Sequence, residues 1–192
     1  IEDFIPETME EWSENIFVQK IFEHTLASVY AAEALQKTPV STYDEILIKG
    51  KDTELRPTLY DFLANRAIAI LMYLPPNIND FYTQHPDNTS SLIADLDKFI
   101  NLKIPVIPLD PKTNSLSIYQ DLLKFRKKEG NQAALLVADL DRLQYVYNHF
   151  NQGNSASLYM LTLLEMEKKY KETPYVVEIL AKQATLLNGV SK

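Results

Sequence analysis

Apolar residues recur at helical intervals along most of the chain. Trp12, Ile16, Phe22, Leu26, Val29 and Leu35 mark one long helix to about residue 36, and Thr8 and Glu11 stand at capping-box spacing before it. Pro39 closes that helix. Ser41 to Asp52 then mixes turn formers with the short apolar run Ile46 to Ile48, which reads as a loop or a single helical turn. Pro57 suits a first helical turn, and Leu59, Leu63, Ala67, Ile70 and Leu74 predict a well-buried second helix ended by Pro75 and Pro76.

The middle of the chain breaks this rhythm. Six of the ten prolines (Pro75, Pro76, Pro86, Pro105, Pro108 and Pro111) fall between residues 75 and 111, so the chain cannot be continuously helical there. Ser90 and Ser91 open a short helix through Phe99, and Lys103 to Leu109 reads as an extended segment lying over the helices. Beyond it, Asn114 or Ser115 caps a helix to about Lys128, and Gly130 turns the chain. Leu136, Leu140, Leu143, Tyr147 and Phe150 follow in steps of four and three, completing a helical hairpin. After a turn at Asn151 to Ser155, Tyr159, Leu163, Met166 and Tyr170 mark another helix. Pro174 starts a last one with Val176, Leu180, Ala184 and Leu187 inward.

The expected fold is therefore all-α: antiparallel helical hairpins, as a tetratricopeptide-like bundle or short solenoid, with a proline-rich irregular segment around 75–111. The organisation reads as an N-terminal helical pair over 1–74, a connection over 75–113 and hairpin repeats over 114–192, in one unit cut from a longer protein. One internal echo supports repetition. Leu92-Ile93-Ala94-Asp95-Leu96-Asp97-Lys98 resembles Leu136-Val137-Ala138-Asp139-Leu140-Asp141-Arg142 at an offset of 44 residues, within the period range of two-helix repeats.

Composition narrows the function classes. The chain has 192 residues and no cysteine, which excludes thiolate nucleophiles, zinc ribbons and iron–sulfur clusters. Its 19 basic and 26 acidic residues leave a net charge of −7, which opposes nonspecific attraction to nucleic acid or anionic lipid. The longest apolar run, Ala67 to Leu74, is far short of the ~20 residues a bilayer span needs, so no direct membrane insertion is expected. No basic segment followed by an apolar core opens the sequence, so no intact signal peptide is read there. The four glycines (Gly50, Gly130, Gly153 and Gly189) are too scattered to form a phosphate-cradling loop.

Candidate chemistry is thin. The Asp95/Asp97 and Asp139/Asp141 pairs offer carboxylates for a hard cation, but residues two apart on a helix diverge by about 200°, so solvated-face carboxylates are the better reading. His24, His85 and His149 each lack a second ligand at metal-binding spacing, and no Gly-x-Ser-x-Gly elbow is present. Glu165, Glu167, Lys168 and Lys169 read as a solvated helix face, with Glu165 and Lys169 in the favourable order. At helical spacing most of the tyrosines and phenylalanines read as core, and Tyr145, one position off its apolar stripe, is the sort of tyrosine that could face a partner. Asn88-Thr89-Ser90 fits the glycosylation acceptor pattern. No catalytic, metal-binding or cofactor-binding residue is assigned, and no cofactor is expected.

The stretch Glu54-Leu55-Arg56-Pro57-Thr58-Leu59-Tyr60-Asp61-Phe62-Leu63-Ala64-Asn65-Arg66-Ala67 resembles a segment of the N-terminal helical region of bacterial alpha-2-macroglobulin-like envelope proteins. The later order, a proline-rich stretch, Ser117-Ile118-Tyr119-Gln120-Asp121-Leu122-Leu123 and then hairpins, is compatible with that region. The resemblance implies a protease-trapping parent in the cell envelope, periplasmic or anchored to the outer membrane. Within it this chain is a noncatalytic scaffold or interaction region, with other domains of the parent, or an envelope protein, as partners. Thioester traps carry a cysteine–glutamine crosslink; without cysteine, that chemistry does not reside here and no functional residue of the family transfers. Arg56, Asp61 and Arg66 are then structural, with Asp61 suited to the start of its helix. The alternative is a self-contained helical-repeat adaptor that binds a peptide or protein.

Overall fold

The computed structural model describes residues 8–48, 50, 53–74, 89–150 and 154–190. Among these residues the protein is all-α. Its helices are α1 (Glu14–Tyr30), α2 (Ala32–Lys37), α3 (Leu59–Tyr73), α4 (Thr89–Ile93), α5 (Leu96–Asn101), α6 (Pro111–Glu129), α7 (Gln132–His149), α8 (Ser155–Tyr170) and α9 (Val176–Val190). Short 3-10 turns lie at Met9–Glu11, Val40–Tyr43 and Thr53–Leu55. An isolated antiparallel bridge joins Pro39 and Thr58: Val40 N–H donates to Pro57 O at 2.9 Å and Leu59 N–H to Thr38 O at 2.8 Å. That bridge fixes where α3 begins.

The long first helix expected from Thr8 is in three pieces. Thr8 makes no side-chain cap; Ser13 does, its hydroxyl accepting from Ile16 N–H at 3.4 Å. Ala31, at φ −78° and ψ 39°, leaves helical geometry, and α2 turns onto α3 with Ala32 and Leu35 against the core. For α3, Pro57 precedes the cap instead of standing in the first turn, and Thr58 and Asp61 form a reciprocal capping box. The buried face is Tyr60, Ala64, Ala67, Ile68 and Leu71, whereas Leu59, Leu63 and Ile70 of the expected stripe are half-exposed. The shift has a cause: Asp61 lies on the buried face because a cation neutralises it there, so the polar-outward assumption that picked the stripe fails at that position.

Of the proline-rich segment expected around 75–111, residues 75–88 lie outside the described residues. Asp95 ends one turn and caps the next, accepting from the N–H groups of Asp97 and Lys98 at 3.1 Å, so α4 and α5 stand where one short helix was expected. Among the described residues of 75–111, 94–95 and 102–110 lack regular structure, and α6 stitches 102–110 down. Gln120 donates to Phe99 O (2.8 Å) and Leu102 O (2.9 Å), Asn114 to Ile107 O (3.0 Å), and Ile107 N–H to Thr113 Oγ1 (3.1 Å). Asn114 is therefore an anchor for the preceding segment; the cap of α6 is Asp110, which accepts from Thr113 N–H at 2.8 Å, with Pro111 in the first turn.

Gly130 closes α6 at φ +84°, a left-handed conformation that suits glycine, and Asn131 Oδ1 caps α7 by accepting from Ala134 N–H at 3.1 Å. Helix α7 is the centre of the fold. Every residue from Ala133 to Leu140 is buried, and α7 packs against α4, α6, α8 and α9. In the other direction α6 packs on α3, and α3 on α1 and α2, so one cluster of buried side chains runs from Phe22 to Leu186.

Tyr159, Leu163 and Tyr170 of α8 are buried, and Met166 packs against them. Helix α9 overturns its expected orientation. It buries Ile179 and Leu186, while Leu180 is 43% and Leu187 59% exposed and Ala184 is exposed. The 44-residue echo is not a structural repeat either. Leu92–Lys98 crosses from α4 through the Asp95 cap into α5, whereas Leu136–Arg142 lies within unbroken α7.

Candidate functional site

Two arginines, Arg126 on α6 and Arg142 on α7, are completely buried. Burying a guanidinium is tolerated only where every face of it is engaged. Arg126 meets Asp61 in two-pronged fashion, with Nε at 2.8 Å from Oδ1 and Nη2 on Oδ2, and also reaches Thr58 Oγ1 at 3.0 Å and Glu129. Its guanidinium stacks over Phe125 at 4.4 Å. The start of α3 is thereby clamped to the end of α6. Arg142 pairs with Asp139 one turn away and donates to Leu92 O and Ala94 O, supplying partners to carbonyls that the end of α4 leaves unpaired. Phe99 covers it at 4.5 Å.

These pairs re-sort the carboxylates. Asp139, expected on a solvated face, is buried against Arg142, and Asp141 takes a different direction, to Arg56 at 2.6 Å and Lys182 at 3.9 Å. Asp95 is a helix cap whose carboxyl is drawn down: burial pushes it up, but the N–H groups and ammonium of Lys98 outweigh that. Asp97 meets Lys127. Among the described residues no group of three or more His, Asp or Glu side chains is placed to hold a metal ion.

His24 is exposed, and His85 lies outside the described residues. The His149 ring packs tilted against Tyr145 at 4.8 Å, and burial, with the charge of Lys112 second, lowers its pKa below the usual histidine range. Tyr145, expected to face a partner, is only 5% exposed and packs on Tyr119 at 5.3 Å. It is inside because α7 is surrounded, so one position off the stripe still faces protein. Burial pushes the phenols of Tyr60, Tyr119, Tyr145 and Tyr159 well up, which keeps them neutral. Of the acceptor pattern, Asn88 lies outside the described residues; Thr89 is buried and donates to Phe150 O at 2.7 Å. Glu165, Lys168 and Lys169 are exposed and Glu167 half-buried, bonded to Gln183 at 2.9 Å.

What the structure adds is a pair of grooves flanking Arg66 on the outer side of α3. One, of about 650 Å³, is lined by Val40, Leu47, Ile48, Pro57 and Phe62, with Arg56, Asn65 and Arg66 among its polar groups. The other, of about 430 Å³, is lined by Met9, Trp12, Phe17, Ile21 and Ile70, again with Arg66. Trp12 and Phe17 meet edge to face at 5.9 Å, and Ile48 and Met9 are 101% and 56% exposed. Arg66 is exposed and has no ion-pair partner among the described residues. The chemistry on offer is apolar contact on either side of the Arg66 guanidinium, with Asp44 and Glu54 also lining the larger groove, which is recognition chemistry.

Fold and site together define an all-helical protein with a grooved apolar flank. Among the described residues, no helix is long and apolar enough to cross a membrane. No protein-family model, no curated protein and no solved structure matches the chain.

Proposed function

We propose that this chain is a noncatalytic helical scaffold and interaction region of a large bacterial alpha-2-macroglobulin-like, protease-trapping cell-envelope protein. Its partners are other domains of the same polypeptide or an envelope protein that occupies the grooves beside Arg66. One observation carries the reading. The stretch Glu54–Ala67, which holds the resemblance, is a two-sided element: inward, Arg56 and Asp61 brace α7 and α6, and outward, Pro57, Phe62, Asn65 and Arg66 line the larger groove. A segment that builds both the brace and the groove suits a module that positions something else. The noncatalytic part is supported by the engagement of the buried carboxylates: Asp61 and Asp139 by arginines, and Asp110 by the N–H groups of its helix. None is held in the isolated, desolvated state of a general acid.

The test is the native product. An antibody against this chain, applied to soluble and envelope fractions, is expected to find an envelope band several times larger than 22.1 kDa. A soluble band near that mass overturns the reading in favour of a self-contained helical-repeat adaptor. That alternative is favoured by the helical hairpins α6–α7 and α8–α9, each joined by a short turn.

A further inference from the structure

We propose that Asn188 is a site of spontaneous deamidation, with the backbone nitrogen of Gly189 as the nucleophile and the last turn of α9 as the gate. The inference is independent of the macroglobulin reading. Asn188-Gly189 is the one Asn-Gly step in the sequence, and it falls in the last turn of α9. Both residues are exposed, and the Asn188 amide has no hydrogen-bond partner among the described residues. A Cβ built on Gly189 would meet nothing within 4 Å, so no other element crowds the step. Glycine itself carries no side chain to shield its nitrogen or to limit backbone rotation. The two Asn-Ser steps of the sequence are placed differently. Asn114 donates its amide to Ile107 O at 3.0 Å and Asp110 O at 2.7 Å, and Ser115 after it is fully buried. Asn154 is exposed, but Ser155 after it is fully buried.

The step needs only water and hydroxide. Hydroxide takes the proton of the Gly189 nitrogen, which attacks Cγ of Asn188. A new C–N bond closes a succinimide ring, the bond from Cγ to the side-chain nitrogen breaks, and that nitrogen leaves as ammonia with a proton returned from water. A second water opens the ring at one of its two carbonyls, giving aspartate or isoaspartate. The helix sets the rate. Helical ψ turns the Gly189 nitrogen away from Cγ, and helical pairing engages its N–H with the carbonyl four residues earlier, so attack waits until the turn opens. Helix ends open at almost no free-energy cost, whereas the preceding turn is pinned by Leu186, which is 6% exposed in the core. Either product adds a carboxylate at the negative end of the helix dipole of a chain that already carries −7. Isoaspartate also lengthens the backbone by a methylene. Both changes favour the open turn, and the effect stops at Leu186.

Ageing the 192-residue chain in mildly alkaline buffer tests this. Trypsin cuts after Lys182 and releases residues 183–192, and mass spectrometry with electron-transfer fragmentation separates the asparagine, aspartate and isoaspartate forms of that peptide. The peptide is expected to convert before any other asparagine-containing peptide, with isoaspartate forming alongside aspartate. Because a fraying turn opens readily, its rate in the folded protein should lie within about tenfold of the rate in urea. G189A, compared with the parent chain in urea so that folding does not enter, should slow conversion about tenfold, since a Cβ restricts the rotation the attack needs. Conversion in urea but not in the folded protein overturns the proposal, because the turn then stays closed. Aspartate without isoaspartate overturns it too, since that product arises by direct hydrolysis, and so does an equal rate in G189A.

Discussion

Where α3, α6 and α7 meet, the protein buries charge; along α9, it exposes apolar side chains. Both run against the simplest rule of folding, and for different reasons. In the centre, Arg126 and Arg142 are enclosed because Asp61, Asp139, Thr58 and two backbone carbonyls meet their donors and Phe125 and Phe99 stack on their faces. Along α9, the core takes only Ile179 and Leu186, and Val177, Leu180 and Leu187 are 63%, 43% and 59% exposed. Charge goes inside where its partners are complete, and apolar side chains stay outside where the core has taken the other face of their helix.

The sharpest way to break this comparison is at Arg126. Arg126→Ala leaves Asp61 buried without its cation and should cost about 3–5 kcal/mol in urea unfolding, whereas Arg126→Met combined with Asp61→Leu should recover most of that loss. If the double variant is as unstable as the single one, the pair is not the source of the cost. Next comes a matched pair of leucines. Leu143→Ala, at a fully buried site on α7, should cost about 2–5 kcal/mol, and Leu180→Ala, measured on dilute protein, should stay within about 0.5 kcal/mol.

How much of this was legible in the sequence depended on contrast between neighbouring residues. Gly130, Leu140, Leu143 and Tyr170 stand among polar residues or at a turn, and their places follow from periodicity. In α3 and α9 apolar residues occur on more than one face, so several stripes fit the sequence and only packing chooses among them. The caps Thr58 and Asp110 were signalled locally, by the Thr-x-x-Asp interval and by Asp directly before Pro111, whereas Thr8 and Asn114 match cap residues in type and spacing but cap no helix. The Arg126–Asp61 clamp had no local signal, because its members are 65 residues apart. Nor did the grooves beside Arg66, one of which exists only once the turns after Pro39 fold back against α3 and the other only once α1 packs on it.

Smaller effects sharpen the picture at the turn and at the histidine. Gly130→Ala places a Cβ in a left-handed backbone conformation and should lower the thermal midpoint by the equivalent of about 1 kcal/mol, although the Cβ itself meets open space. The smallest expected change is with pH. His149 is held below the usual histidine pKa, so as pH falls through about 6.5 the unfolded chain gains a proton that the folded one does not, and stability declines; above that range both states are neutral and the effect vanishes. Thermal melts of His149→Gln should lack that acid-side decline, and an identical decline in both proteins would remove His149 as its cause.

The segment at 102–110 has the look of a linker, with two prolines and no regular structure, and a protease offered the chain would be expected to cut there. Its attachments to α6 imply otherwise. A protease must draw several residues into an extended strand in its own cleft, and here Leu102 and Ile107 are tied to Gln120, Asn114 and Thr113 of a single helix. Cleavage then has to wait until the segment is peeled from α6, and a stretch that reads as the weakest point of the chain becomes one of its sheltered ones.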